Sequence, residues 1–261
     1  MKVDLDGKVV VVTGAASGVG RAVAEVAAGA GAGALFLIDR DAAGLAAAAT
    51  AIDGPALAQH VADLGESGTA TAAVAAALTR FGRIDALVNA AALTDRASFQ
   101  SASEAEWDRL FAVNARAPFF LMQGAIADMT RRGAPGAIVN ILSINAHCGA
   151  PDLAVYSATK GALMTLTRNA AHAHLKGGIR VNGINLGWTK TPAEDRMQAD
   201  TLGGGPGWAA RAAAAMPLGR LIEPAEVARQ TVWLLSDASA PMTGVAVDLD
   251  QHVLGAPEWA A

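Results

Sequence analysis

The chain has 261 residues, of which 52% are hydrophobic and 17% charged, with one cysteine and one tyrosine. That length supports a substantial core, and the composition excludes a disordered chain. A formal net charge of −4 gives no reason to expect nucleic acid as a partner, and the lone Cys148 excludes an internal disulfide, so a reducing cytoplasm is the expected compartment.

Met1 to Gly7 carries Lys2, Asp4 and Asp6, so no apolar secretion segment is expected there, and no run is expected to approach the length of a membrane span. Short apolar, often β-branched runs then alternate with alanine-rich helical stretches. Lys8 to Thr13, Ala34 to Asp39, Ala56 to Ala62, Ile84 to Asn89, Ala137 to Leu142, Ile179 to Asn185 and Val245 to Asp248 read as strands. Their near-continuous hydrophobicity is that of strands covered on both faces. It predicts an α/β, doubly wound, seven-stranded parallel sheet with helices on both faces, one domain spanning 1–261. Gly187 to Gly207 is the exception, an irregular segment with Trp188, Pro192, Glu194 and Asp195 that predicts a substrate lid at about 187–215. Cys148 is expected to pack as a small buried hydrophobe.

Thr13-Gly14-Ala15-Ala16-Ser17-Gly18-Val19-Gly20 lies between the first strand and the first helix. A glycine-rich turn there lets a pyrophosphate approach bare backbone N–H groups, and the helix dipole adds attraction for anions. A glycine triplet alone is weak evidence, but here an acid follows at the end of the second strand, as a dinucleotide fold requires. That acid, Asp39, is placed to accept the adenosine ribose hydroxyls and to repel a 2′-phosphate, which predicts NAD over NADP. Arg40 is the complication, since a guanidinium pairs well with a 2′-phosphate; the plainer reading is a solvated arginine near Asp41. Asp63 and Leu64 after the third strand, and Asn89, Ala90 and Ala91 at the end of the fourth, are placed to meet the adenine and the adjoining ribose.

Tyr156-Ser157-Ala158-Thr159-Lys160 sits on a predicted helix, and the four-residue spacing puts Tyr156 and Lys160 on one face. A free phenol titrates near ~10, too high for a base at neutral pH, and a nearby ammonium lowers that value. With Ser143 thirteen residues earlier, the glycine turn and the acid after the second strand, the whole chain resembles the short-chain dehydrogenase/reductase family. The resemblance implies that Ser143 orients the substrate oxygen and Tyr156 exchanges the hydroxyl proton. It also implies that Lys160 lowers the tyrosine pKa and binds the nicotinamide ribose, that Asn114 holds a water in the proton relay, that Gly187 and Thr189 flank the nicotinamide, and that the chain forms a homotetramer. Hydride then passes between a secondary alcohol carbon and the nicotinamide. No His, Cys and carboxylate cluster supports a metal mechanism, and His172 and His174 point in different directions on one helix.

Three departures from the family pattern stand out: Asn89-Ala90-Ala91 for Asn-Ala-Gly, Leu186-Gly187 for Pro-Gly, and Asp248-Leu249-Asp250-Gln251-His252 for Asp-Gly-Gly. The last places Asp250, Gln251 and His252 at a subunit interface or beside a neighbouring active site. Candidate substrate contacts are Ser143, Asn145, His147, Tyr156, Trp188 and Glu194, with Ala92 to Thr94. Their polarity, with one broad aromatic, suits a sugar or polyol. The competing readings are a reductase of carrier-bound 3-oxoacyl chains, a steroid or xenobiotic ketone reductase, and a non-catalytic NAD-binding sensor or scaffold.

Overall fold

The computed structural model describes residues 3–253. Seven runs form strands: β1 (Val9–Thr13), β2 (Ala34–Asp39), β3 (Ala56–Val61), β4 (Ala86–Asn89), β5 (Gly136–Ile141), β6 (Ile179–Leu186) and β7 (Ala246–Leu249). Between them lie α1 (Gly18–Gly29), α2 (Ala42–Thr50), α3 (Thr69–Phe81), α4 (Glu104–Phe111), α5 (Ala117–Arg132), α6 (Ala154–His174), α7 (Pro192–Arg196), α8 (Trp208–Ala214) and α9 (Pro224–Leu235). The strands form one seven-stranded sheet in the order β3-β2-β1-β4-β5-β6-β7, and all its pairings are parallel.

Strand alternation divides the apolar side chains between two cores. Val10, Val12, Leu35 and Leu37 pack with α1 and α9, while Val11, Phe36 and Ile38 pack on the other face with α3, α5 and α6. Each such side chain contributes roughly 1.5–3 kcal/mol on burial, which is why the runs are apolar on both faces rather than alternating. β1 is buried throughout, whereas the edge strand β3 exposes Val61. Strand order reverses between β1 and β4, and the crevice outside the carboxyl ends at that switch point is where such sheets bind ligands.

Two expectations are corrected. Glu104–Arg132 forms a 29-residue helical run whose most apolar window has mean hydropathy 1.2, long and apolar enough to cross a membrane; 61% of that window is buried inside the protein. The run goes unnoticed in the sequence because charged residues such as Glu104, Glu106, Asp108, Arg109, Arg116 and Asp128 interrupt its apolar stretches; a π-helical turn at Ala112–Arg116 joins α4 to α5. Gly187 to Gly207, expected to be irregular, carries helical structure from Pro192–Arg196 into Met197–Thr201. Thr191 caps α7 by accepting from the Glu194 amide, Pro192 fits the first helical position, and a π turn follows at Met197–Thr201. Trp208 donates to Asp195 at 3.1 Å and packs with Ala212 and Leu221 in a small core of its own.

Candidate active site

A cleft of about 820 Å³ opens over the carboxyl ends of the strands, lined at one end by Gly14 to Gly20 and at the other by Ser143, Tyr156 and the segment after β6. The glycines of the first turn are fixed by close approach. A Cβ on Gly20 would meet the Gly14 carbonyl oxygen at 2.2 Å, and one on Gly14, whose φ is +68°, would meet the Ala91 amide nitrogen at 2.8 Å. Thr13 joins the two loops by accepting from the Ala90 and Ala91 amides at 3.0 and 3.1 Å. Ser17 caps α1 without a side-chain hydrogen bond to the helix, so the first-turn N–H groups of Gly18, Val19 and Gly20 face the cleft mouth without a capping oxygen. This bare cradle fits a dinucleotide pyrophosphate.

At the adenosine end, Asp39 is held by the Ala16 and Asp41 amides, both at 3.0 Å. Asp41 and Asp63 also line this part of the cleft, against Arg40 alone. Arg40 lies 3.9 Å from Asp63 rather than pairing with Asp41. Leu64, Ala90 and Ala91 line the cleft, as do Gly187 and Thr189. Asn89 does not: it is 2% exposed and donates to Asn140 on β5 at 2.8 Å. Its strand-end position reads as cleft-facing, but the pleat turns the side chain into the sheet.

The reacting groups sit at the floor. Ser143 caps the short helical turn after β5 and accepts from the Asn145 amide at 3.2 Å. Tyr156 and Lys160 are both buried on α6, and the Lys160 ammonium donates to the Ile141 carbonyl at 2.7 Å and lies 5.8 Å from the Tyr156 ring centre. Burial pushes the phenol up to about 12, opposed by the Ser143 hydrogen bond, with Glu194 adding to the rise and Arg96 opposing it. Burial also pushes Lys160 down to about 8. The expectation that Lys160 lowers the tyrosine is thus not met in the chain by itself, because desolvation of the phenolate outweighs every nearby positive charge.

Asn114 lies in the π-helical turn, fully buried, and its side chain is committed to protein. It accepts from the Leu93 amide at 2.8 Å and donates to the Leu93 carbonyl at 2.9 Å and to Thr159 at 3.1 Å. Thr159 in turn donates to the Tyr156 carbonyl at 2.6 Å. The side chain ties the loop after β4 to the tyrosine's helix.

Asn145, Trp188 and Glu194 line the substrate end, but His147 does not. Its ring meets Asp248 at 3.0 Å and Asn185 at 3.1 Å, supporting the ends of β6 and β7. Partial burial opposes it, yet hydrogen bonds from His147 and Asn185 hold the Asp248 carboxyl below the usual carboxylate range. Cys148, expected to be buried, is exposed on the same loop. Of the tail residues, Gln251 accepts from the Leu218 amide at 2.9 Å and donates to the Arg220 carbonyl at 2.6 Å, so it fastens the tail to the segment between α8 and α9 within one chain. Asp250 packs where a Gly187 side chain would stand and pairs with His252 at 3.6 Å. Sequence reasoning missed Arg96 and Asp152, which line the cleft and pair at 3.1 Å. An arginine seven residues past the end of β4, within the following loop, carries no signal in the sequence that it turns inward.

A nucleotide cradle at the switch point beside a buried serine, tyrosine and lysine defines a nicotinamide-dependent oxidoreductase. Comparison with known proteins agrees. A family model described as Enoyl-(Acyl carrier protein) reductase matches residues 14–251. The chain is 35% identical to 2-(S)-hydroxypropyl-CoM dehydrogenase 3 of Xanthobacter autotrophicus, over 94% of this chain and 96% of that one. It is 39% identical to a sorbitol dehydrogenase of Cereibacter sphaeroides, over 70% of this chain and 71% of that one. Among solved structures, L-sorbose reductase of Gluconobacter frateurii, complexed with NADPH and L-sorbose, superposes with a TM-score of 0.90 at 30% identity, covering 98% of this chain and all of that one. The chain belongs to the short-chain dehydrogenase/reductase family.

Proposed function

We propose that the protein interconverts a secondary alcohol and a ketone on a sugar or polyol, using NAD(H), and that it works as a homotetramer in the cytoplasm. The observation that carries the substrate class is the wall facing Ser143 and Tyr156, where Arg96, Asn145, Asp152, Glu194 and Gln198 gather around the half-exposed Trp188. Polar heads in that number suit a substrate with several hydroxyls, and a broad indole suits a sugar face; a steroid or an acyl chain wants an apolar wall. The sorbitol and L-sorbose enzymes among the similar proteins fit this reading.

NAD is favoured by charge. Asp39, Asp41 and Asp63 surround the adenosine end against one arginine, and a 2′-phosphate brought there meets three carboxylates. The bound nicotinamide supplies the hydride acceptor or donor and, when oxidised, a positive charge. Ser143 orients the substrate oxygen by hydrogen bonding. Tyr156, protonated at neutral pH, donates its proton to the oxygen of a ketone as that oxygen gains charge and is left as the phenolate; alcohol oxidation runs the same step backwards, so it needs Tyr156 to have lost its proton first, and the phenolate then takes the hydroxyl proton. Lys160, fixed by Ile141, keeps a donor at the inner end of the cleft for a ribose hydroxyl. Asn114 and Thr159 hold the tyrosine's helix in place.

Tyr156→Phe tests the enzymatic reading against a binding module. Turnover is expected to fall by about 10²- to 10⁴-fold while nucleotide binding, read by fluorescence titration of the reduced cofactor, persists. Undiminished turnover removes Tyr156 from the chemistry.

A further inference from the structure

Two opposite charges stand beside the reacting tyrosine without closing on each other. Arg96 is anchored by Asp152, at 3.1 Å from its Nε, and by the Thr94 carbonyl, at 2.9 Å from Nη1. Glu194 is anchored at Oε1 by the Trp188 indole at 3.0 Å and the Gln198 amide at 2.8 Å. Both heads line the cleft and are mostly buried, at 21% and 15% side-chain exposure, yet the Arg96 Nη2 to Glu194 Oε1 separation is 4.0 Å. Charge-assisted hydrogen bonds close at about 2.7–2.9 Å, so this pair is held apart by its anchors.

We propose that Arg96 and Glu194 are specificity-determining residues that together read a second hydroxyl of the substrate, on the carbon next to the reacting one. The inference rests on the sugar or polyol reading and narrows it to vicinal diols. A hydroxyl is the neutral group that satisfies both heads at once, accepting from the Arg96 Nη2 and donating to the Glu194 carboxylate. An ether or carbonyl satisfies only the arginine. A carboxylate meets Glu194 and Asp152 as like charges, and an ammonium meets Arg96. The placement next to the reacting carbon follows from the cleft wall that Arg96 and Glu194 share with Ser143 and Tyr156, and the Tyr156 phenol lies within the field of both charges.

Cyclohexane-1,2-diol and cyclohexanol differ by that one hydroxyl and serve as probes, the cyclohexanol reaction giving an internal reference for each variant. The wild type is expected to favour the diol by about 10²-fold or more in kcat/KM. Arg96→Met is expected to bring that ratio to within a few-fold, chiefly through KM for the diol, with Arg96→Lys restoring part of it. A wild-type ratio near one, or a ratio unchanged in Arg96→Met, overturns the proposal while leaving the broader alcohol reading standing. Failure of the wild type to turn over either probe, or any sugar or polyol, overturns the substrate class and the hydroxyl-reading role with it. Tyr156 is the chain's single tyrosine, so tyrosinate absorbance reads its titration directly without substrate. Glu194→Gln is expected to titrate at lower pH than the wild type and Arg96→Met at higher pH. No displacement in either variant refutes the pair's placement beside the reacting group, whatever the substrate is.

Discussion

At Tyr156 and Lys160, burial sets the charge state before any ligand arrives, and it leaves a signature in stability. Lys160 titrates near 10.5 when exposed and near 8 in the folded chain, so between those values the unfolded chain binds more protons and stability rises with pH. Tyr156 moves the other way, from 10 to about 12, so above pH 10 the folded chain binds more protons and stability falls. Urea unfolding from pH 8 to 10 is therefore expected to show a rise in the wild type that Lys160→Met lacks. Equal slopes would mean the ammonium is solvated in the folded chain. Tyr156 and Lys160 were legible because a four-residue spacing on a helix is rigid, and Ser143 was legible through the family resemblance. Arg96, Asp152 and the inward turn of Asn89 were not, since loop direction and the local pleat decide where those side chains point. His147 and Cys148 show the same limit: a loop after β5 carries one ring against Asp248 and leaves the thiol in solvent.

Among the elements, the π-helical turn between α4 and α5 and the loop after β4 depend on each other through Asn114. Replacing it by alanine leaves the Leu93 amide and carbonyl without their partner, at a cost of about 1–3 kcal/mol. Asn114→Ala is expected to lower the urea midpoint accordingly and to depress kcat by loosening the helix that carries Tyr156; an unchanged midpoint would show that Leu93 finds other partners. Strand positions were readable to within a residue or two because strands buried on both faces must be apolar throughout. The lid was harder. Its glycine and proline cluster reads as loop, whereas Thr191, Pro192 and Trp208 supply the cap, the helix start and the small core that fold it. The glycine turn was legible as a phosphate site, but its reason is steric contact with Gly14 and Ala91, which only the assembled loops reveal.

For the molecule as a whole, the doubly wound parallel sheet follows from continuous apolar runs alternating with helices, whereas the strand order, and with it the place of the switch point, is set by which strands pair in the folded chain. Assembly is less legible, because interface residues on helices look like ordinary surface. Trp107, Phe119 and Phe120 on α4 and α5 are 47%, 41% and 39% exposed, an aromatic surface that a lone chain leaves in water. Light scattering after gel filtration is expected to give four times the chain mass of 26.3 kDa, and the mass of a single chain would contradict the tetramer. Substrate class and cofactor choice are read together from initial rates, followed by nicotinamide absorbance, with NAD or NADP and a panel of polyols, sugars, hydroxy acids, steroids and carrier-bound ketones. Turnover of a sugar or polyol, with NAD favoured over NADP, is expected. Activity confined to NADP would contradict the reading of Asp39, Asp41 and Asp63, and activity confined to apolar or carrier-bound ketones would contradict the polar wall.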